Sequence, residues 1–177
     1  KLLKHFTTSN SSLTYDVIHD IMEKDNQLWV ATDGGGINII SLDDFSFTNI
    51  QQKQDDVHSF PANTIYRLYL DSANNMWAGS IRRGLIGIRN VFACSYQNVP
   101  FGNLYGLSNQ TINSFFQDSD GMVWVGTDGG GINRFDPLTG TFKHYPSTMH
   151  EKVVSIVEYT PDEVLFSSFN EGLFIFH

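Results

Sequence analysis

Four charged side chains in glycine-rich turns could contact a ligand. Arg82 and Arg83 are the only two lysine or arginine residues that are adjacent in the chain, and paired guanidinium groups can bind an anion or the hydroxyls of a sugar. Asp33 and Asp128 occupy matching positions in two other turns, where a carboxylate can accept hydrogen bonds from a sugar. We predict ligand contacts at these four residues. The alternative is ordinary turn chemistry, with solvated arginines and backbone-capping aspartates.

The sequence TDGGG occurs at 32–36 and again at 127–131. A phosphate-binding loop of this kind must open a helix, whose first N–H groups point at the phosphate. Here the glycines are followed by INII and INRF, which are typical of strands. The pattern therefore favours a tight hairpin turn, in which glycine supplies the positive φ that such turns require.

The sequence shows no motif for a metal or for catalysis. The segment DSDG at 118–121 begins like a calcium loop, but Met122 and Gly129 stand where an EF-hand needs oxygen ligands. Cys94 is the only cysteine, and its strand-like setting favours a small buried hydrophobic role. The six histidines have no metal-ligand spacing. We predict no catalytic residue, no metal site and no cofactor.

The glycine turns belong to a unit that recurs four times. Each unit has an aromatic or apolar anchor, a glycine seven residues after it and a β-branched residue twelve residues before it. The anchors are Trp29, Trp77, Trp124 and Leu165; the glycines are Gly36, Gly84, Gly131 and Gly172; the β-branched residues are Val17, Ile65, Ile112 and Val153. An acid also stands six residues before the first three anchors, at Glu23, Asp71 and Asp118.

The first three units each contain four short strand patterns and the last contains three, and four such strands are typical of a β-propeller blade. One small sheet cannot bury both of its faces, so blades stack and the anchors fill the gaps between them. We predict an all-β propeller with blades at 13–50, 63–99 and 110–146, a partial blade at 152–177, and residues 1–8 as the outer strand of a preceding blade.

The two ends of this arc allow two architectures. The first strand could complete the last blade and close a four-bladed ring, which is the lower limit for a propeller. We favour an arc of a larger ring, and we read the chain as a segment of a longer protein because it lacks a starting Met and ends within a strand pattern. Open strand edges tend to pair with other strands.

Charge excludes some partners. The chain has 19 acidic and 11 basic residues, a formal charge of −8, so a basic footprint for nucleic acid or an anionic membrane is absent. No apolar run approaches the roughly 20 residues of a membrane helix.

The segment SNQTINSFFQDSDGMVWVGTDGGGINRFDPLTGTFKHY at 108–145 resembles a two-component regulator propeller repeat. The segment at 13–40 is similar nearly as closely, the segment at 63–88 less closely, and 152–176 lacks the Trp. The resemblance covers most of the chain and is carried by the W-x-G-T-x-G-G-G core.

The resemblance implies the periplasmic sensor of a Bacteroides-type hybrid two-component histidine kinase. Such a parent protein carries seven-bladed propellers, a membrane helix, a kinase core and a DNA-binding module, and it acts as a homodimer at the inner membrane. The sensor detects glycan-derived oligosaccharides and controls polysaccharide-utilisation genes. The segment itself is then not an enzyme, and it contacts the membrane only through its parent.

Two other functions stay open on the sequence. The propeller could be a scaffold for protein partners, or it could be a lyase or glycosidase. An enzyme would need convergent acids or bases at the inner strand ends. The residues there form no such set: Tyr15, Asp16, Asn63, Thr64, Gln110, Thr111 and Lys152.

Overall fold

The computed structural model describes residues 3–54, 59–89, 92–96 and 106–177. Strands dominate these residues, as their β-branched and aromatic content favours. The strands are β1 Ile18–Lys24, β2 Gln27–Thr32, β3 Ile37–Ser41, β4 Phe47–Ile50, β5 Ile65–Leu70, β6 Met76–Ser80, β7 Leu85–Arg89, β8 Phe92–Tyr96, β9 Ile112–Gln117, β10 Val123–Thr127, β11 Ile132–Asp136, β12 Thr141–His144, β13 Val153–Thr160, β14 Glu163–Ser168 and β15 Gly172–Phe176, with a 3₁₀ turn at Pro146–Thr148. Among the described residues, no helix could span a membrane.

The strands form four antiparallel sheets that follow one another along the chain. Blade 1 is β1–β4, blade 2 is β5–β8 and blade 3 is β9–β12, each with neighbouring strands in chain order. Blade 4 has three strands, β13–β15. The all-β propeller fold predicted from the repeats is confirmed.

Residues 3–7 lie beside blade 1 and form no strand. The ring of Phe6 is 5.8 Å from that of Phe45 and 5.5 Å from that of Phe47. The Lys4 ammonium lies 3.7 Å from the centre of the Phe45 ring. The N-terminal segment therefore packs on the outer part of blade 1, and blade 4 is not completed by it.

Three apolar clusters fill the three junctions between successive blades. Trp29 of blade 1 packs among residues of blade 2, Trp77 among residues of blade 3, and Trp124 among residues of blade 4. The innermost strands β1, β5, β9 and β13 pack side by side in that order. Glycines permit this approach, since a Cβ at Gly79 would lie 2.7 Å from Ile112 and a Cβ at Gly126 would lie 2.6 Å from Val153.

The glycine-rich segments are hairpin turns that lead into strands β3, β7 and β11. Gly36, Gly84 and Gly131 have φ of +72°, +73° and +72°, a region that side chains with a Cβ rarely adopt. A Cβ at Gly36 or Gly131 would also overlap a backbone carbonyl oxygen of the connection to the next blade. The repeated glycine is thus required by both conformation and space.

The turn between the first two strands differs among the blades. In blades 2 and 3 it runs over five residues, 71–75 and 118–122, and the first residue is an Asp whose Oδ1 accepts two backbone N–H groups of the turn. In blade 1 it has two residues, Asp25 and Asn26, with φ of +51° and +61°, as in a type I′ hairpin.

Because of the shorter turn, the residues of β1 are shifted by one position relative to the markers that were aligned by counting back from Trp29. Trp29, Trp77 and Trp124 face Met22, Tyr69 and Phe116 across their hairpins. Two residues further on stand Lys24, Asp71 and Asp118. Lys24 therefore holds the place of the two aspartates, and Glu23, which the spacing had aligned with them, is exposed.

The same shift affects the β-branched marker of blade 1. Ile65, Ile112 and Val153 pair with the last residue of the second strand of their blades, and in blade 1 that pairing belongs to Ile18, not Val17. Val17 is exposed. Alignment by the anchor alone was wrong here, because it takes every hairpin to have the same length.

The two ends of the arc expose apolar side chains. Along blade 4, alternate residues such as Ile156 and Phe166 are buried against blade 3, while their neighbours face outward. The exposed residues on that outer face are Val154, Val157, Tyr159, Leu173 and Ile175, and those at the inner strand of blade 1 are Tyr15, Val17, Ile18 and Ile21.

Candidate functional site

A β-bulge occurs at the same point of each innermost strand, next to the glycine turns. The pairing with the second strand skips one residue in each blade. The skipped residues are His19, Tyr66, Asn113 and Val154. Bulges re-aim side chains and often lie beside functional sites, so this row of four positions is the first place to look for a ligand.

Arg67 ties two of these strands together. Its Nε donates to the backbone oxygen of Asn113 and its Nη1 to that of Tyr66, both at 3.0 Å. The guanidinium carbon lies 5.0 Å from the centre of the Tyr66 ring. On the other side, Tyr66 contacts His19, with ring centres 4.6 Å apart. The strand ends are thereby held in fixed positions.

A cavity of about 350 Å³ opens between blades 2, 3 and 4 at this end. Its walls combine aromatic rings with polar groups: Tyr66, Arg67, Asn113, Asp128, Lys152, Val154 and Phe169. The Lys152 ammonium is 3.6 Å from Asp128 Oδ1, and Phe169 is 62% exposed. We call this cavity, with the adjoining His19, the bulge site. Rings beside a few fixed donors and acceptors are typical of small-molecule sites.

One ring nitrogen of His19, whose ring contacts Tyr66 of this site, makes no hydrogen bond among the described residues. Its Nε2 is buried and has no hydrogen-bond partner among the described residues, although Asp33 Oδ1 lies 3.8 Å away. Buried polar atoms are almost always paired, so an unpaired one beside a cavity is a reason to expect a bound polar group. No cluster of His, Cys, Asp and Glu within the described residues could hold a metal ion.

The four residues singled out in the sequence lie at three equivalent turns. Asp128 lines the bulge site, and Asp33 Oδ1 lies 3.8 Å from His19 Nε2. Arg82 has φ of +68°, and the backbone N–H of Arg83 donates to Ser80 Oγ. The two arginines form the turn of blade 2 and are not among the described residues that line the cavity. Their role in ligand binding stays a prediction.

Sequence reasoning missed His19, Tyr66, Arg67, Asn113 and Phe169. The bulges that group His19, Tyr66 and Asn113 depend on pairing register, which residue types do not reveal. Lys152 stood among the inner strand ends considered for catalysis, where no acid–base set was found. Cys94 lies in β8, but its side chain is outside the described part of the structure, so its buried role stays a prediction.

Comparison of sequences identifies the repeat. Residues 59–82 and 106–129 match the family described as Two component regulator propeller, which confirms the resemblance. Both matched segments include the turn that begins with Asp71 or Asp118. The first unit, at 13–40, resembles the repeat more closely than the segment at 63–88 does. It is nevertheless not among the matched segments, and its turn is the short one. No curated protein shows significant similarity to this chain.

Comparison of structures supports the same fold. The extracellular domain of a B. thetaiotaomicron protein assigned as a hybrid two component system superposes with a TM-score of 0.83 at 22% identity, covering 97% of this chain and 24% of that one. The computationally designed protein Ika4 gives 0.64 at 13% identity, covering 91% of each. An auxiliary nutrient binding protein from B. thetaiotaomicron gives 0.60 at 8% identity, covering 88% of this chain and 36% of that one. The chain thus spans about a quarter of the first structure.

Proposed function

We propose that this chain, which carries two-component regulator propeller repeats, is the ligand-sensing segment of an extracytoplasmic two-component regulator, and that the bulge site binds an oligosaccharide. The observation that carries the ligand proposal is the convergence of fixed aromatic and polar groups on one cavity at the bulged strand ends. The family match and the fold of the first structure support the sensor role.

The chemistry of the bulge site suits a sugar. A sugar ring offers an apolar face, which Tyr66 and Phe169 can contact, and hydroxyls that both donate and accept. Asp128 accepts hydrogen bonds, and Lys152 and Arg67 donate them. The charges of Asp128 and Lys152 oppose one another across 3.6 Å, and Arg67 leaves one positive charge in excess among the residues that line the cavity.

In this proposal the segment performs no chemistry itself. It belongs to the periplasmic part of a homodimeric receptor in the inner membrane, whose kinase and DNA-binding parts lie elsewhere in the protein. A ligand shifts the signalling equilibrium only by binding one state more tightly than the other. Glycan fragments would in this way control genes for polysaccharide use.

The arc would also continue into a larger, seven-bladed ring. The outward positions of blade 4, including Leu165, correspond to the positions that the three Trp anchors hold at the internal junctions. An apolar face of this kind is normally covered. Completing the ring, which covers both open faces, should convert a self-associating segment into a monomer, as light scattering would measure. Monomeric behaviour of the segment alone would contradict the larger ring.

Calorimetric titration with a panel of neutral and acidic oligosaccharides tests the ligand. We expect Phe169→Ala to weaken binding by about tenfold or more, because a stacking surface is lost. Arg83→Met tests the other predicted contact, and it should bind normally if the ligand occupies the bulge site. Binding lost in Arg83→Met but kept in Phe169→Ala would place the ligand at the arginine turn. A folded protein that binds no saccharide, or one that cleaves it, would contradict the proposal.

A further inference from the structure

The indole N–H groups of two Trp anchors are held by buried carboxylates. Trp77 Nε1 donates to Asp71 Oδ2 and Trp124 Nε1 donates to Asp118 Oδ2, each at 2.8 Å. In blade 3 the same Asp118 oxygen also accepts from Arg134 Nε at 2.8 Å. In both blades a carboxylate therefore accepts from the indole N–H, and in blade 3 the same carboxylate also accepts from a cation.

In blade 1 the carboxylate is missing and a cation replaces it. Lys24 stands at the equivalent position, as the pairing of Met22 with Trp29 requires. Trp29 is only 6% exposed, and its Nε1 has no hydrogen-bond partner among the described residues. The Lys24 side chain is only 16% exposed. An indole donor and an ammonium thus occur together where the other blades place an acid.

These two groups line one cavity of about 520 Å³ between blades 1 and 2. Asp25, Gln27, Asn74 and Asn75 add polar groups to its wall. Lys24 Nζ donates to the backbone oxygen of Asn74 at 3.1 Å and pairs with Asp25 at 2.9 Å. Asp25 is itself 67% exposed, so its attraction for the ammonium is weakened by water. A second carboxylate can be accommodated beside Lys24.

We propose that this cavity binds the carboxylate group of a small organic acid, which accepts from the Trp29 indole as the Asp71 and Asp118 carboxylates accept from the indoles of blades 2 and 3. The ligand carboxylate accepts from the Trp29 indole and pairs with Lys24. Acidic sugars and simple carboxylic acids share this group. The site is separate from the bulge site and does not depend on the proposed function.

The three indole N–H resonances of the protein provide the test. Titration with sodium glucuronate or sodium acetate, followed by ¹H–¹⁵N NMR, should shift the Trp29 resonance, which Trp29→Phe identifies. The resonances of Trp77 and Trp124 should stay in place, because their N–H groups are already bonded. Glucose and sodium chloride should have no effect. A response to both acids indicates recognition of the carboxylate alone, and a response to glucuronate only indicates an acidic sugar.

Lys24 variants test the cation. Lys24→Met should weaken carboxylate binding by at least tenfold, Lys24→Arg should retain it, and Lys143→Met, which removes a charge from blade 3, should leave it unchanged. If Lys24→Met fails to fold, retention in Lys24→Arg and the selective response of Trp29 still decide the matter. A Trp29 resonance that stays fixed, one that moves equally in Lys24→Met, or equal shifts of all three indoles would overturn the proposal.

Discussion

The inner hairpin of blade 3 turns through Asp118, whose carboxylate caps the turn, accepts from Trp124 and pairs with Arg134. The inner hairpin of blade 1 turns in two residues and places Lys24 at that position. Both hairpins present the same Trp to the next blade. The difference shows that the Trp is needed for packing between blades, whereas the acid belongs to a turn of one particular length.

This comparison also shows where a repeat can change without losing its fold. A long turn needs an internal acceptor for its N–H groups, and Asp supplies one. A type I′ turn satisfies its backbone in the hairpin itself. Once the turn has shortened, the acid has no capping role, and the position can take a residue of opposite charge.

The largest expected effect is the loss of the blade 3 carboxylate. Asp118→Ala should lower the free energy of unfolding by about 4 kcal/mol, because it leaves the Trp124 N–H and two turn N–H groups without their acceptor and removes one of the two carboxylates that pair with Arg134. Glu23→Ala in blade 1 should change it by less than about 0.5 kcal/mol, since Glu23 is exposed. Urea unfolding of the two variants measures both values. Equal losses would show that the two hairpins do not differ in this way.

A second effect concerns the inner-strand residue that packs on the preceding blade. Ile112 is fully buried beside Gly79, and Ile112→Ala should cost about 3 kcal/mol through lost contacts and a cavity. Ile18, its equivalent in blade 1, is partly exposed, and Ile18→Ala should cost about 1 kcal/mol or less. The same unfolding experiment applies. A large cost at Ile18 would mean that blade 1 is covered by a partner in solution.

A smaller effect should separate the two indoles. Trp77→Phe deprives the buried Asp71 carboxylate of a donor, whereas Trp29→Phe removes an N–H that has no partner. We expect Trp77→Phe to cost about 1 kcal/mol more than Trp29→Phe. Both lose similar packing, so the difference in urea midpoint isolates the hydrogen bond. If Trp29→Phe were the costlier change, an unseen acceptor would have to hold its N–H.

The smallest effect lies in the outer turns, where blades 1 and 3 agree. Hydrogen bonds from the backbone and side chain of Ser46 lower the pKa of Asp44, and those from the Thr139 hydroxyl and the Leu138 backbone lower the pKa of Asp136. A lowered pKa means that each carboxylate stabilises the fold above the unfolded value and ceases to do so as the pH falls below about 4.

Carboxyl ¹³C titrations measure these two pKa values. Thr139→Ala should raise the pKa of Asp136 clearly, because it removes the largest cause, and Ser46→Ala should raise that of Asp44 less, because the backbone N–H remains. A larger change for Ser46→Ala would contradict this order.

The sequence allowed the fold to be predicted because spacing repeats even where residues change. Trp and Gly recur at fixed separations. The Trp fills a gap between sheets, and the Gly adopts a backbone conformation with positive φ. The register of blade 1 could not be predicted in the same way. The hairpin of blade 1 has one residue fewer between Trp29 and its cross-strand partner Met22, which shifts the whole first strand, so Val17 and Glu23 gave the expected residue types at the wrong positions.

The candidate site was harder to predict than the fold. Asp128 was found because it stands in a recognisable turn. Tyr66, Arg67 and Asn113 come together through bulges and through contacts between blades, so their relation has no counterpart in linear spacing. Trp29 lies in the apolar cluster between blades 1 and 2. That its N–H has no partner among the described residues stands out only by comparison with the hydrogen-bonded N–H groups of Trp77 and Trp124.

The missing side chains at Gly79 and Gly126 also determine how sharply the arc bends. Each lies on the second strand of its blade and faces the inner strand of the next blade, Gly79 against Ile112 and Gly126 against Val153, so their size sets the wedge angle from one blade to the next. An alanine at either position would push the following inner strand away by about a methyl radius and flatten the curve. A flatter curve needs more blades to come full circle, so the circumference of the propeller depends on its smallest residues.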